Sequence, residues 1–299
     1  MYIQPEMRAV RQHALGGPEV LVVEDVPRPE PAPTEVLVRV AAAGVNPVDW
    51  KVRTGGGLLG EPPFTVGWDV AGVVEELGMG VTWLSPGDRV FGMPRFPREA
   101  ACYAEYVASP SRQLARIPDR WSDVEAAAVP LAGLTAWQAL VDTCGVGEGS
   151  RVLVLGAAGG VGHFAVQIAK ARGAWVAGTS SVEKHDFLRG LGVDEPLDKN
   201  GPLDVEVDVV FDAVGGDAAL AGPPARLVVT VSASSVAPLR EAGLNAVGIL
   251  VEPDRLGLED LAGIGLKPHV DATFPLEEAA RAHELGEQGR TRGKIVLTI

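Results

Sequence analysis

The chain has 299 residues, 46% hydrophobic and 22% charged, and carries a formal net charge of −13 from 26 basic and 39 acidic side chains. That length is more than one hydrophobic core usually accommodates, and the composition is that of a soluble globular protein, so two domains are expected. The acidic balance repels nucleic acid phosphates and anionic lipids, which argues against a nucleic acid or membrane partner and requires a local basic pocket for any anionic cofactor.

The opening segment MYIQPEMRAV lacks the apolar stretch of a signal peptide, so none is expected. The proline-rich PRPEPAP at 27–33 reads as an extended connector. Up to about residue 110 the pattern is β-like, with strand-sized runs VLVVEDV, EVLVRVAAAGV and DVAGVVEEL, and SPGDRVFG as a turn feeding a strand. From Trp121 the texture turns helical: SDVEAAAVPLAGLTAWQALVDTCG reads as helix, with Ser122 as N-cap and Glu125 as capping-box partner. Then β and α alternate. RVLVL, AWVAG, VDVVFDAV, RLVVTVS and NAVGILV are strands, with helices over Gly160 to Arg172 and over VEKHDFLRGLG. Continuous apolar strands alternating with helices indicate a doubly wound parallel sheet. The final segment holds a helix and a closing strand. Cys102 and Cys144 form neither a disulfide framework nor a metal cluster, which suits a cytoplasmic location.

Four glycines, Gly156, Gly159, Gly160 and Gly162, crowd the junction between RVLVL and the following helix. Each costs roughly 1 kcal/mol against alanine inside a helix, so backbone must come close or turn sharply there. A strand, a glycine turn and a helix N-terminus make a phosphate-binding corner. The pattern is A-x-G-x-x-G from Ala157, not the full G-x-G-x-x-G, but it opens a βαβ unit as the motif requires.

An NAD site would carry an acid about 20 residues on, at the end of the second strand. That place reads Thr179, Ser180 and Ser181, followed by Lys184, with Glu183 beyond the strand end. Hydroxyls and a cation suit a 2′-phosphate, so NADP(H) is expected. A helix cap and a solvated lysine are the alternative. Ala213 and Val214, and Val231 and Ser232, follow strands at the sheet edge where ligands bind.

With these motifs in hand, the chain resembles the zinc-free, quinone oxidoreductase-like branch of the medium-chain dehydrogenase/reductase superfamily. AAAGVNPVDWKVRTG, VGWDVAGVVEELG, GDRVFG, CYAEYVA, VPLAGLTAWQALVD, AAGGVGHFAVQIAKARGA, VDVVFDAVGG and FPLEEAARAHELGEQGRTRGKIVL match its motifs in order. The resemblance implies a GroES-like β-rich domain over 1–120, to which 255–299 return, and a Rossmann NADP(H)-binding domain over 121–254. It also implies a homodimer. The zinc-ligand places of the superfamily's alcohol dehydrogenases hold Asn46, Trp68 and Leu131, none a usual ligand, so no metal is expected.

The resemblance places Ala158, Gly159, Gly160 and Val161 on the pyrophosphate. It places Thr135 near the nicotinamide or phosphates, against a plain helix-packing role, and makes Ile249, Val251 and Lys294 weaker nicotinamide-side candidates. Asn46 is the candidate for nicotinamide or substrate contact. Lys51 stands where many relatives have a tyrosine, either as a donor to an enolate or quinone oxygen or as a solvated strand lysine. Asp49 is either a participant or a turn acid. Trp50 and Trp68 fall in cleft motifs, whereas His163 is read as an ordinary helix residue. Pro223 and Pro224 break the helix that relatives carry between two strands. The implied activity is hydride transfer from NADPH to a quinone or an α,β-unsaturated carbonyl. The alternatives are an enoyl-thioester or enal reductase, and a catalytically idle NADPH-binding sensor.

Overall fold

The computed structural model describes residues 5–299. Met1–Gln4, at the start of the segment read above for a leader, lie outside the described residues. The chain divides into two compact units. The first runs to Leu131 and takes in Glu252–Ala262 and Pro268–Ile299; the second comprises Ala132–Val251 and Gly263–Lys267.

In the first unit a seven-stranded sheet is built around Glu35–Val45, the run EVLVRVAAAGV. Its apolar residues are buried along nearly the whole strand. Val70–Leu77 pairs antiparallel on one side, followed by Arg89–Gly92 and Leu114–Arg116. Lys294–Thr298 pairs antiparallel on the other side, with Ile295 opposite Val45. Val270–Pro275 lies parallel to Lys294–Thr298, and the helix Ala279–Glu287 falls between them in sequence. Gly44 matters for packing: a Cβ there would lie 2.4 Å from the Ala127 carbonyl oxygen, so glycine lets the helix Asp123–Ala127 close onto the strand.

In the second unit six parallel strands run in the order Glu195–Asp198, Trp175–Ser180, Arg151–Leu155, Val209–Asp212, Leu227–Thr230, Ala246–Gly248. Numbered along the chain that is 3-2-1-4-5-6, the dinucleotide-fold order. The expected parallel sheet is therefore present, and its order reverses beside Arg151–Leu155. Leu153, Leu155, Val210 and Val228 fill the core on one face.

Two expected elements differ. The helix read over Ser122–Gly145 is three pieces: Asp123–Ala127, Pro130–Trp137 and a π-helical stretch Gln138–Thr143. Pro130 has no N–H to continue the first piece and disfavours helical backbone before it. Glu195–Asp198 is a strand that the sequence pattern did not show, because Glu, Pro and Asp are poor strand formers. Between Val209–Asp212 and Leu227–Thr230 there is only a 3-10 turn, Ala218–Ala221, as the proline pair implied.

The capping box of Asp123–Ala127 is present. Ser122 Oγ accepts from Glu125 N at 3.2 Å, and the Ser122 N–H donates to Glu125 Oε2 at 2.8 Å. Ser122→Ala is expected to lower stability by about 1 kcal/mol in urea unfolding; an unchanged midpoint would deny the cap its role.

Candidate functional site

The glycine junction is held by main chain and one hydroxyl. Gly156 turns the strand Arg151–Leu155 with φ +73°, the left-handed region that favours glycine. Its N–H donates to Thr179 Oγ1 at 3.0 Å, and Ala157 N–H donates to the Thr179 carbonyl at 2.9 Å. A Cβ on Gly162 would lie 2.1 Å from the Gly156 carbonyl oxygen, so the helix Gly162–Ala171 starts directly against the strand end. His163 is buried, and its Nδ1–H donates to the Gly159 carbonyl at 3.0 Å. The histidine read as an ordinary helix residue thus fastens the corner. The first N–H groups of any helix lack intrahelical partners, and a bare concavity at such an end suits a phosphate. A pyrophosphate-containing cofactor fits this corner.

The second strand ends in Thr179 and Ser180, both buried. Ser180 donates to the Ser181 carbonyl at 2.9 Å, and Ser181 donates to the Glu183 carboxylate. That hydroxyl holds the Glu183 carboxyl below its ordinary range, with Lys184 and Lys199 adding to the effect. Glu183 and Lys184 lie in one 3-10 turn, Val182–Lys184. Lys199, which sequence reasoning missed, follows the unforeseen strand Glu195–Asp198, and its N–H donates to the Ser180 carbonyl at 2.8 Å.

Ala213, Val214, Val231 and Ile249 collect at the carboxyl edge of the same sheet. Ala213 N–H donates to the Leu155 carbonyl at 3.3 Å, Val231 N–H to Asp212 and Ile249 N–H to Thr230. Val214 is exposed beside Gly156, where its methyl would lie 2.7 Å from a Cβ. Ser232 lies one residue past Val231, and Val251 is buried. Thr135 is buried in the helix Pro130–Trp137. Ala158 is buried, whereas Gly159, Gly160 and Val161 are half-buried.

In the first unit, sequence-distant polar residues meet in one buried cluster. Asn46 precedes the helix Pro47–Gly55, and its N–H donates to Asp49 Oδ2 at 2.7 Å. Its Nδ2 donates to Asp69 Oδ2 at 2.8 Å, and Asp69 Oδ1 accepts from Leu131 N at 2.7 Å. Lys294 Nζ donates to the Val45 carbonyl at 2.9 Å and to Asn46 Oδ1, and lies 3.6 Å from Asp69 Oδ2. Lys294, expected toward the nicotinamide, is thus buried and fully engaged by its own unit. The antiparallel register that sets Ile295 opposite Val45 brings it there.

The cluster continues through Tyr103, whose hydroxyl donates to Asp49 Oδ2 at 2.9 Å. That hydroxyl has one proton, so at 3.3 Å it accepts from His283 Nε2–H. His283 Nδ1 then accepts from Arg53 at 3.1 Å, and Arg53 pairs with Glu287 at 2.7 Å. Burial, with Arg53 adding to it, pushes His283 down to about 3, so the ring is neutral. Sequence reading missed Asp69, Tyr103, His283 and Arg53. A carboxylate inside an apolar run, Asp69 in VGWDVAGVV, was the available signal.

Lys51 is exposed and lies on the helix Pro47–Gly55, started by Pro47, rather than on a strand, and apart from this cluster. Trp68 is buried in the core, its indole N–H given to the Arg98 carbonyl at 2.7 Å and its ring edge-on to Phe96. Trp50 is half-buried and packs against Gly286 and His283.

A catalytic zinc does not fit these residues. Trp68 and Leu131 offer no metal donor, the Asn46 oxygen is taken by Lys294, and an ammonium already sits against Asp69.

Burial pushes Asp49 up from 3.8 to about 7, and its Oδ1 has no hydrogen-bond partner. A carboxyl raised in the folded state stabilises the fold while protonated, and that contribution is lost as pH rises through about 7. Asp49→Asn is therefore expected to gain stability relative to wild type as pH rises from about 4 to about 7, read by urea unfolding at each pH. Parallel curves would contradict this.

Residues 32–119 match the alcohol dehydrogenase GroES-like domain family, and residues 191–297 match the zinc-binding dehydrogenase family. A 2-methylene-furan-3-one reductase of Solanum lycopersicum is 34% identical, with 99% of this chain and 80% of that protein covered. The quinone oxidoreductase structure from Coxiella burnetii superposes with a TM-score of 0.92 at 35% identity, covering 99% of this chain and 100% of that one. A mycobacterial structure complexed with NADPH gives a TM-score of 0.86 at 30% identity, covering 98% and 100%.

Proposed function

Since this chain belongs to the quinone oxidoreductase-like branch of the medium-chain dehydrogenase/reductase family, we propose that it reduces a quinone or an α,β-unsaturated carbonyl with NADPH. It is an NAD(P)H-dependent oxidoreductase. The observation that carries the reading is the glycine-rich corner at Gly156–Gly162, set at the point where the order of a parallel sheet reverses.

The nicotinamide supplies the hydride when bound. The chain's own residues bind, orient and shield. Main-chain groups of Ala158, Gly159, Gly160 and Val161 hold the pyrophosphate. Ser180, Ser181 and Lys184 take the 2′-phosphate, a choice supported by hydroxyls and a cation at the end of the second strand. A mycobacterial relative bound to NADPH agrees with that choice. Thr135 and the sheet-edge residues Ala213, Val214, Val231, Ser232, Ile249 and Val251 line the cofactor.

One Asn46 N–H goes to Asp69; the other is the donor assigned here to the reacting carbonyl oxygen or the nicotinamide amide. Donors fixed before the reaction stabilise growing negative charge without reorganising. Asp49, raised to about 7, is the proton-holding acid assigned here, bonded to the Asn46 backbone N–H. Lys51, exposed, remains available to a substrate oxygen. The tomato relative's name supports the enone side of the substrate pair and the Coxiella structure's title the quinone side. A cytoplasmic homodimer belongs to the same reading; exposed Leu250 beside the edge strand Ala246–Gly248 supports the dimer.

Fluorescence titration is expected to give a Kd for NADPH at least about tenfold below that for NADH, the worth of one or two charge-assisted bonds. A tighter NADH overturns the NADPH assignment. Asn46→Ala is expected to lower kcat/KM with 9,10-phenanthrenequinone or a short enone on the order of 10²-fold. Unchanged turnover removes Asn46 from the reaction.

A further inference from the structure

Lys294 is an ammonium buried in the wall of a β-sheet, at the start of the strand Lys294–Thr298. Such a charge is costly unless every proton has an acceptor. Here the acceptors are the Val45 carbonyl, Asn46 Oδ1 and, at 3.6 Å, Asp69 Oδ2. Two hydrogen-bond acceptors and one ion-pair partner surround the ammonium, and the charge is spent inside the cluster. Lys294 therefore does not reach a ligand itself. Its effect passes through Asn46.

The carboxamide of Asn46 is gripped at both ends. Its oxygen accepts from Lys294, and one N–H donates to Asp69. That arrangement leaves the plane of the amide one orientation and fixes which end carries nitrogen. A cation on the oxygen also draws electron density from the amide, which makes the remaining N–H a stronger donor. The backbone N–H of Asn46, bonded to Asp49, fixes the residue from a third side.

We propose that Lys294 is a positioning residue: its buried ammonium pins the Asn46 carboxamide oxygen and so aims and polarises the N–H that meets the reacting oxygen. The proposal rests on the role given to Asn46 above. It gives the chain a fixed cation on Asn46, acting one bond removed from the substrate. The competing role for Lys294 is simple neutralisation of Asp69.

The full-length chain decides between them. Lys294→Met alone leaves Asp69 uncompensated and is compared with the double variant Asp69→Asn/Lys294→Met, in which no uncompensated charge of the pair remains. If the single variant fails to fold, the double variant carries the comparison. The double variant is expected to bind NADPH within roughly threefold of wild type and to lose kcat on the order of 10²-fold with 9,10-phenanthrenequinone. In an Asn46→Ala background the same two changes are expected to cost no further kcat, because the group they act through is gone. Wild-type kcat in the double variant, or a full additive loss in the Asn46→Ala background, overturns the proposal. Unchanged turnover in Asn46→Ala alone would instead sink the reading of Asn46, which keeps the two failures distinct.

Discussion

The contact on which the second unit depends is steric. The helix Gly162–Ala171 begins so close to the Gly156 carbonyl that a single added carbon at Gly162 would lie 2.1 Å from that oxygen. No side chain can be placed there without moving the helix from the strand. Gly178 repeats the constraint from the second strand, where a Cβ would lie 2.8 Å from that of Ala157. These close approaches seat the helix N-terminus over the carboxyl end of the sheet. They bring its main-chain donors to the edge where Ser180, Ala213, Val231 and Ile249 emerge. The phosphate affinity proposed for that corner rests on geometry, because the donors are backbone.

The first unit depends on electrostatics more than shape. Lys294, Asp69 and Asp49 lie buried within bonding reach of one amide. Burial weakens the charged form of each, and mutual pairing works against that. Removing one partner of such a group costs more than the group contributes to stability. In the role proposed for Asn46 its value lies in orientation: an amide held on both ends meets a developing oxyanion without having to turn. The neutral His283 and the Arg53–Glu287 pair extend the same network to exposed Glu287.

Much of this was legible in the residues. Continuous apolar runs such as RVLVL and VVFD read as buried parallel strands, and each is one. The glycines of the corner read as close approach, and the added-carbon distances at Gly156 and Gly162 show why. The capping pair Ser122 and Glu125 was visible because it is local. What escaped was either weakly coded or long-range. EPLD carries little strand propensity and is a strand only because the parallel neighbour Trp175–Ser180 pairs with it. The helix after Ser122 breaks where Pro130 removes a donor. Asn46 and Lys294 are 248 positions apart, and nothing in either neighbourhood names the other. Only the sheet register joins them.

The central claim is that a phosphorylated dinucleotide lies on main-chain amides at the Gly159–Gly162 corner. A crystal structure of the complex with NADPH tests it most directly. The account predicts pyrophosphate density within hydrogen-bond distance of the Gly160 and Val161 amides, with the adenosine phosphate beside Ser181 and Lys184. Pyrophosphate density elsewhere, with that corner untouched by the cofactor, would contradict it.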